Sequence, residues 1–520
     1  MHELTKLLMD DMKPALGVTE PGAIAFAVAK AKTYIEGELK YVKVTMNSGM
    51  YKNAFTCGIP GSEKSGAVYS AAFGYVAGDS EKGLESLSGM TAEEESQGRQ
   101  LVDEGKIKIE MSGITSRIFI QAEVAAESGT AIVTIKDSHT NIVSILANGE
   151  VVFGEATQSA ELKGEATQSA EGMETSPGNT AQKDGKSNTA QDDEKGSVDA
   201  IKTISIKEAI ASHGDLLIHR YTLGSLIEYV DTVDIEELYF IRAAFETNLA
   251  LLHKGLASGE TTFAERLLEE NGGAEISEDE QTTAQLLCNG AIESRVIGID
   301  APAMSITGSG AHGIIATMPL YAAYKVSALK AEAQKEVSAK EDASQAEAPN
   351  EGSLKVEAPN EGSLKVEAPK EGSADTVSEE KLLRATALSY LICTYIKEYS
   401  GKLSAFCGCG IAAGTGMACA LCYMKGGDID AIIRTMNNMA ASITGMICDG
   451  GNQGCTMKGV AAVDAAYRSV DFALHDVCIA KEHSIIGSTP ELTMRNMGLI
   501  AAPGMAGTEK TIVEIFEDKL

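Results

Sequence analysis

The sequence predicts an α+β fold: an N-terminal mixed α/β domain, then a large, mostly α-helical domain, with two disordered inserts. Three observations carry this reading. Segments rich in β-branched residues alternate within the first ~150 residues. After about residue 198 the apolar residues recur at i, i+3 and i+4, the period of a helix face. Two polar stretches built of tandem repeats carry almost nothing that could be buried. The boundaries fall at 1–153, 154–197, 198–330, 331–378 and 379–520.

Residues 1–31 read as an amphipathic helix, a break at Pro14–Gly17, and a second helix from about Pro21. Thr19 suits an N-cap, and Pro21 suits the first turn, where its missing N–H leaves no helix bond unmade. Tyr41–Met46, Arg117–Glu123 and Ala131–Ile135 alternate as strands do. The first insert begins GEATQSAELK and repeats as GEATQSAEGM. Such a tract cannot bury enough surface to offset chain entropy. The second insert repeats EAPNEGSLKV, with copies too few and too polar for a solenoid. Helical spacing covers Ile206–His213, Leu223–Val230, Ile235–Lys254 and Phe263–Asn271. It resumes over Glu380–Ser400, Ala412–Lys425, Asp428–Thr444 and Val460–Ala480.

Composition sets the class. The 520 residues are 44% hydrophobic and 23% charged, enough for two or three domains with buried cores. There is no Trp, and 52 Gly point to close helix contacts and many turns. A formal net charge of −30 disfavours nucleic acid and anionic membranes as partners. The N-terminus lacks a basic segment followed by a long apolar run, and no uncharged apolar stretch approaches ~18 residues. A cytoplasmic protein is expected. Its ten Cys are then thiols or metal ligands.

The thiols cluster in three places. Cys407 and Cys409 lie in SAFCGCGIAAGTG, Cys419 and Cys422 in MACALCYM, and Cys448 and Cys455 in GMICDGGNQGCTMKG. DGGNQG is a turn, so the two thiols flanking it can point at one centre. Cys407 sits in a Gly-rich entry to a helix, where the dipole favours thiolate. Three thiolates from two loops suit a 4Fe–4S cluster with one open iron better than a closed zinc site, which wants four ligands. By spacing alone, buried structural thiols are an equal alternative. Cys419 and Cys422, like Cys288, Cys393 and Cys478, sit in apolar helical settings and read as core. Cys57 is ambiguous.

At these motifs the chain resembles the L-cysteine desulfidase family, itself related to the alpha chain of iron–sulfur L-serine dehydratases. The matching segments are KPALGVTEPGAIAFA, HTNIV, APAMSITGSGAHGIIATMP, LSAFCGCGIAAGTG and GMICDGGNQGCTMK. The resemblance implies a 4Fe–4S cluster on Cys407, Cys448 and Cys455, with Cys409 the alternative to Cys407. It departs at Val18, where the family reads Cys. Cys57 could substitute there, the open iron could be served by solvent and substrate alone, or the substrate or activity could have changed.

The implied activity is β-elimination on a small amino acid, most simply L-cysteine to pyruvate, ammonia and sulfide, by a homo-oligomer. The substrate carboxylate needs a cationic or N–H-rich cradle. Candidates are the helix start at Thr19, the loop around Ser309, and Arg295; Lys52, Asn53 and Asn141 are further ones. Glu20 could take the ammonium. His312 and His139 are the candidate bases for the α-proton. Three rivals stand beside this reading: an L-serine dehydratase, an inactive metal- or ligand-binding relative, and a thiol oxidoreductase using Cys419 and Cys422.

Overall fold

A computed structural model describes residues 1–155, 210, 216–346, 376–401 and 403–519. The N-terminal part runs α1 (Glu3–Asp11), β1 (Lys13–Leu16), α2 (Thr19–Lys32), β2 (Leu39–Asn47), α3 (Ser48–Ala54), α4 (Ala67–Val76) and α5 (Ala92–Asp103). Five strands follow: β3 (Ile107–Gly113), β4 (Phe119–Ala126), β5 (Gly129–Lys136), β6 (Ile142–Ala147) and β7 (Glu150–Gly154). They form a six-stranded sheet in the order β3-β2-β4-β5-β6-β7, parallel between β2 and β3 and antiparallel elsewhere. The alternation along β2 turns Val42, Val44 and Met46 inward. Helix α2 packs on β4 and β5, with α4 beside it. Small residues set that approach: a methyl on Gly74 would come within 2.6 Å of the Ala25 backbone.

The helical part runs α6 (Leu223–Thr232), α7 (Arg242–Ser258), α8 (Phe263–Glu270), α9 (Glu280–Ile297), β8 (Pro302–Ser305), α10 (Gly310–Ala346) and α11 (Glu379–Ser400). It continues with α12 (Gly414–Met424), α13 (Ile429–Ile443), α14 (Gly454–Leu474), α15 (Pro490–Leu499) and α16 (Ala506–Glu517). The middle of α9 and nearly all of α11 and α12 are buried. The buried parts of α11 and α12 are mostly apolar, whereas α9 also takes Gln285, Asn289, Glu293 and Arg295 into the interior. Strand β1 pairs antiparallel with β8, from Lys13 opposite Ser305 to Leu16 opposite Pro302. One connected cluster of buried apolar side chains extends from Leu4 to Phe516. Among the described residues no helix is long and apolar enough to cross a membrane.

The mixed α+β class and the order of its parts agree with the sequence reading, and four local expectations change. The Pro14–Gly17 break lies within and just after a short strand. The N-cap of α2 is Val18, and the Thr19 hydroxyl turns to the Glu20 carboxylate instead. Helix α10 continues through residues 331–346, inside the stretch expected to be disordered. Cys478 is exposed, not core. The rest of that stretch up to 375, the first insert beyond Glu155, and the Ile206–His213 helix (apart from Ile210) lie outside the described residues.

Candidate functional site

A cavity of about 300 Å³ opens where the start of α2, the ends of α9 and α11, the start of α10 and two cysteine-bearing loops meet. It brings together Thr19, Glu20, Asn53, His139, Arg295, Ser309 and His312 with Cys409, Cys448 and Cys455, while Cys407 is buried and does not line it.

Glu20 is in the first turn of α2 and is 4% exposed. Its Oε1 accepts from Asn53 Nδ2 at 2.8 Å, and His139 Nε2 stands 3.8 Å away. Burial would raise its pKa, but His139, the Asn53 amide and the more distant Arg295 together hold it at about 2. The carboxylate is therefore charged at neutral pH.

Arg295 ends α9 and is 4% exposed. Among the described residues its Nε finds no hydrogen-bond partner. A buried guanidinium without a carboxylate of its own is costly. Arg295 stands in the wall of the cavity.

His312 lies in the first turn of α10. Its Nδ1 is 2.5 Å from Thr307 Oγ1. Burial, then the charges of Lys397 and Arg295, push its pKa well below the ordinary range. The imidazole is therefore neutral at physiological pH. Gly408 closes against it: a methyl there would lie 2.6 Å from Nε2 and 3.2 Å from Lys397 Cε.

The thiol wall has two loops. Cys407 precedes a π-helical turn over Cys409–Ala413, and its Sγ accepts from the Gly410 N–H at 3.4 Å. The Cys409 thiol beside it draws the Cys407 pKa down against burial, helped by that N–H and by Lys458, while Cys409 itself is pushed up. Cys448 and Cys455 flank the turn before α14. Cys455 Sγ is 3.3 Å from the Gly450 carbonyl, and burial with Cys448 nearby raises its pKa to about 12. Among the described residues no three His, Cys, Asp or Glu side chains are grouped closely enough to hold one metal ion. Thiols on two neighbouring loops are nonetheless the donor type that an iron–sulfur cluster takes.

Two predicted binding residues are elsewhere. Lys52 is fully buried outside the cavity; its Nζ donates to the Ser404 and Cys448 carbonyls at 3.0 and 2.9 Å and meets Glu509 at 3.4 Å. It clamps both cysteine loops to α3. Asn141 is exposed, its amide on the Lys136 carbonyl at 3.1 Å. Cys419, Cys422 and Cys288 are buried in the core, and Cys393 is buried beside Thr307, Asp11 and Lys397 without lining the cavity. Cys57 is buried near Glu20 but does not line the cavity. Sequence reasoning missed Lys397 and Asp11, both of which line it. The signal for Lys397 was a lysine inside an otherwise apolar helix; Asp11 offered none.

A family model described as serine dehydratase alpha chain matches residues 363–514. A UPF0597 protein of Clostridium botulinum (strain Hall) is 32% identical over 512 residues, covering 98% of this chain and 97% of that one. UPF0597 proteins of Caldanaerobacter subterraneus and Clostridium tetani are 29% and 28% identical, each over 99% of this chain and 98% of their own.

Proposed function

The chain belongs to the UPF0597 family and is related to the alpha chain of iron–sulfur serine dehydratases, and from that premise we propose that it is a lyase acting on a small β-substituted L-amino acid, L-cysteine first. One observation carries the reading. An ionised Glu20 and a buried Arg295, whose Nε has no hydrogen-bond partner among the described residues, share a cavity that thiols also line. Two opposite charges in a small cavity suit the ammonium and carboxylate of an amino acid.

Cys407, Cys448 and Cys455, with Cys409 as the alternative to Cys407, would hold a 4Fe–4S cluster. Such a cluster supplies a Lewis-acidic iron that polarises a thiol or hydroxyl on the substrate's β-carbon. The protein does the rest. Arg295 takes the carboxylate bidentately, with the Ser309 region beside it. Glu20, braced by Asn53 and His139, takes the ammonium. His312 Nε2 removes the α-proton. The electrons of that C–H bond form the Cα–Cβ double bond, and sulfide leaves from a cysteine substrate. The aminoacrylate product tautomerises to an imine, which water hydrolyses to pyruvate and ammonia. L-Serine is the second reading, favoured by the family model that matches the thiol-bearing region.

Anaerobic reconstitution followed by parallel assays of pyruvate and sulfide tests this. A brown protein absorbing at ~400 nm with about four irons per chain, releasing pyruvate from L-cysteine, is the expected result. Pyruvate from L-serine alone selects the second reading. A colourless protein with stoichiometric zinc and no pyruvate from either overturns both.

A further inference from the structure

We propose that Thr307, held in place by Asp11, is a positioning residue that keeps the hydrogen of His312 on Nδ1 and so leaves Nε2 as the proton acceptor. The proposal rests on the lyase reading for its catalytic meaning, but its structural part stands alone.

Thr307 and Gly308 are the central residues of a tight turn closed by Ile306 and Ser309, whose backbones exchange hydrogen bonds at 3.0 and 3.3 Å. Both central residues are left-handed, with φ of +49° and +77°. This is the pattern of a type I′ turn, which favours Asn-Gly. A β-branched residue at the first position works against its own preference, and such departures concentrate where a side chain is needed. The turn is anchored from the N-terminal end of the chain. The Thr307 N–H donates to Asp11 Oδ2 at 2.6 Å, and the Ser305 hydroxyl donates to the Lys13 carbonyl at 2.7 Å.

Hydrogen bookkeeping then sets the tautomer. Thr307 has one hydroxyl hydrogen, and its Oγ1 lies 2.8 Å from the Ile306 carbonyl, which can only accept. The hydroxyl therefore donates there and offers a lone pair to His312 Nδ1. The Ile306 carbonyl also faces the imidazole, and a carbonyl again demands a hydrogen on the ring. The Thr307 contact places that hydrogen on Nδ1. Nε2 is left bare beside Gly408, in the wall of the cavity.

The test uses the full-length, anaerobically reconstituted protein and three variants: T307V, T307S and D11N. Valine keeps the branched shape and loses the hydroxyl; serine keeps the hydroxyl. T307V should retain its iron and its KM while kcat falls by about 10- to 100-fold, and T307S should recover most of that loss. D11N should fall between wild type and T307V. Nitrogen NMR of histidine-labelled protein, with H312Q assigning the signal, should show Nδ1–H in the wild type and a tautomer mixture in T307V. A wild-type His312 protonated on Nε2, or an unchanged tautomer in T307V, overturns the proposal. Unchanged kcat in T307V overturns the catalytic part. If wild type with full iron makes no pyruvate from either amino acid, the lyase reading fails, and the NMR result still decides the tautomer.

Discussion

Replacing Arg295 by Met should cut substrate capture about 10²-fold without weakening the fold, a combination that few buried substitutions give. In the free protein the guanidinium is 4% exposed and its Nε is unpaired among the described residues. A buried donor left unsatisfied costs about 1–3 kcal/mol, which methionine removes while keeping most of the volume. The opposing loss is the help Arg295 gives in holding Glu20 ionised, a weaker influence on that carboxylate than burial, His139 and Asn53. Removal is therefore neutral to stabilising, and R295M should melt no lower than wild type. Binding moves the other way. Two charge-assisted bonds to a carboxylate contribute about 3 kcal/mol together, a factor of about 10² in kcat/KM. The assays are thermal melting of both proteins in the same cluster state and pyruvate release across a range of L-cysteine. An R295M protein that melts well below wild type, or that keeps kcat/KM within threefold, refutes the reasoning: the guanidinium would then be structural.

The thiol assignment separates by position: C448S and C455S should each lose the absorbance at ~400 nm, whereas C419A, in the apolar interior of α12, should keep it, and a bleached C419A would reassign the ligands. Glu20 makes a signed prediction about pH. Its folded pKa of about 2 lies below the ordinary 4.5, so the unfolded chain binds the proton first. The resulting stabilisation is complete above pH 4.5 and is lost as pH falls towards 2, on the order of 3 kcal/mol. Urea midpoints of the cluster-free protein across that window should drop steeply, and E20Q should flatten the drop; parallel curves would show that Glu20 is not held ionised.

What the sequence revealed was local in origin. The alternation along β2, the apolar period of α11 and the turn between Cys448 and Cys455 depend on neighbours a few residues away, and each could be read directly. Strand β1 could not: KPAL has no strand signal and exists because it pairs with β8, 292 residues on, where Ser305 meets the Lys13 carbonyl. Residues 331–346 show the opposite failure. AEAQKEVSAKEDASQA is polar enough to suggest disorder, but Ala, Glu, Lys and Gln are strong helix formers, and a helix already nucleated in the core propagates through them. Lys52 had the chemistry of a carboxylate binder. Nothing near it in sequence showed that the carbonyls of Ser404 and Cys448 would claim its ammonium.

The site also divides along the chain in a way that bears on specificity. The region matching the serine dehydratase alpha chain contains the thiols and Lys397. The groups facing them, Glu20, Asn53, His139, Arg295 and His312, all lie outside it. On the proposed reading, the cluster ligands and the substrate-binding groups thus come from different stretches, yet the two stretches are mechanically joined. A methyl on Gly450 would come within 2.6 Å of the Lys52 carbonyl, and one on Gly451 within 2.7 Å of the Val18 side chain. Position 18 therefore stands directly against the loop between Cys448 and Cys455. A thiol at that position could reach toward the same centre, but valine offers only methyl groups. Among the described residues the thiols lining the cavity are those of Cys409, Cys448 and Cys455, and Val18 sets an apolar side chain against the loop between the last two. An apolar neighbour favours a sulfur-bearing β-carbon over one bearing a hydroxyl, which would leave a polar group partly unpaired there. That difference is the physical argument for placing L-cysteine ahead of L-serine.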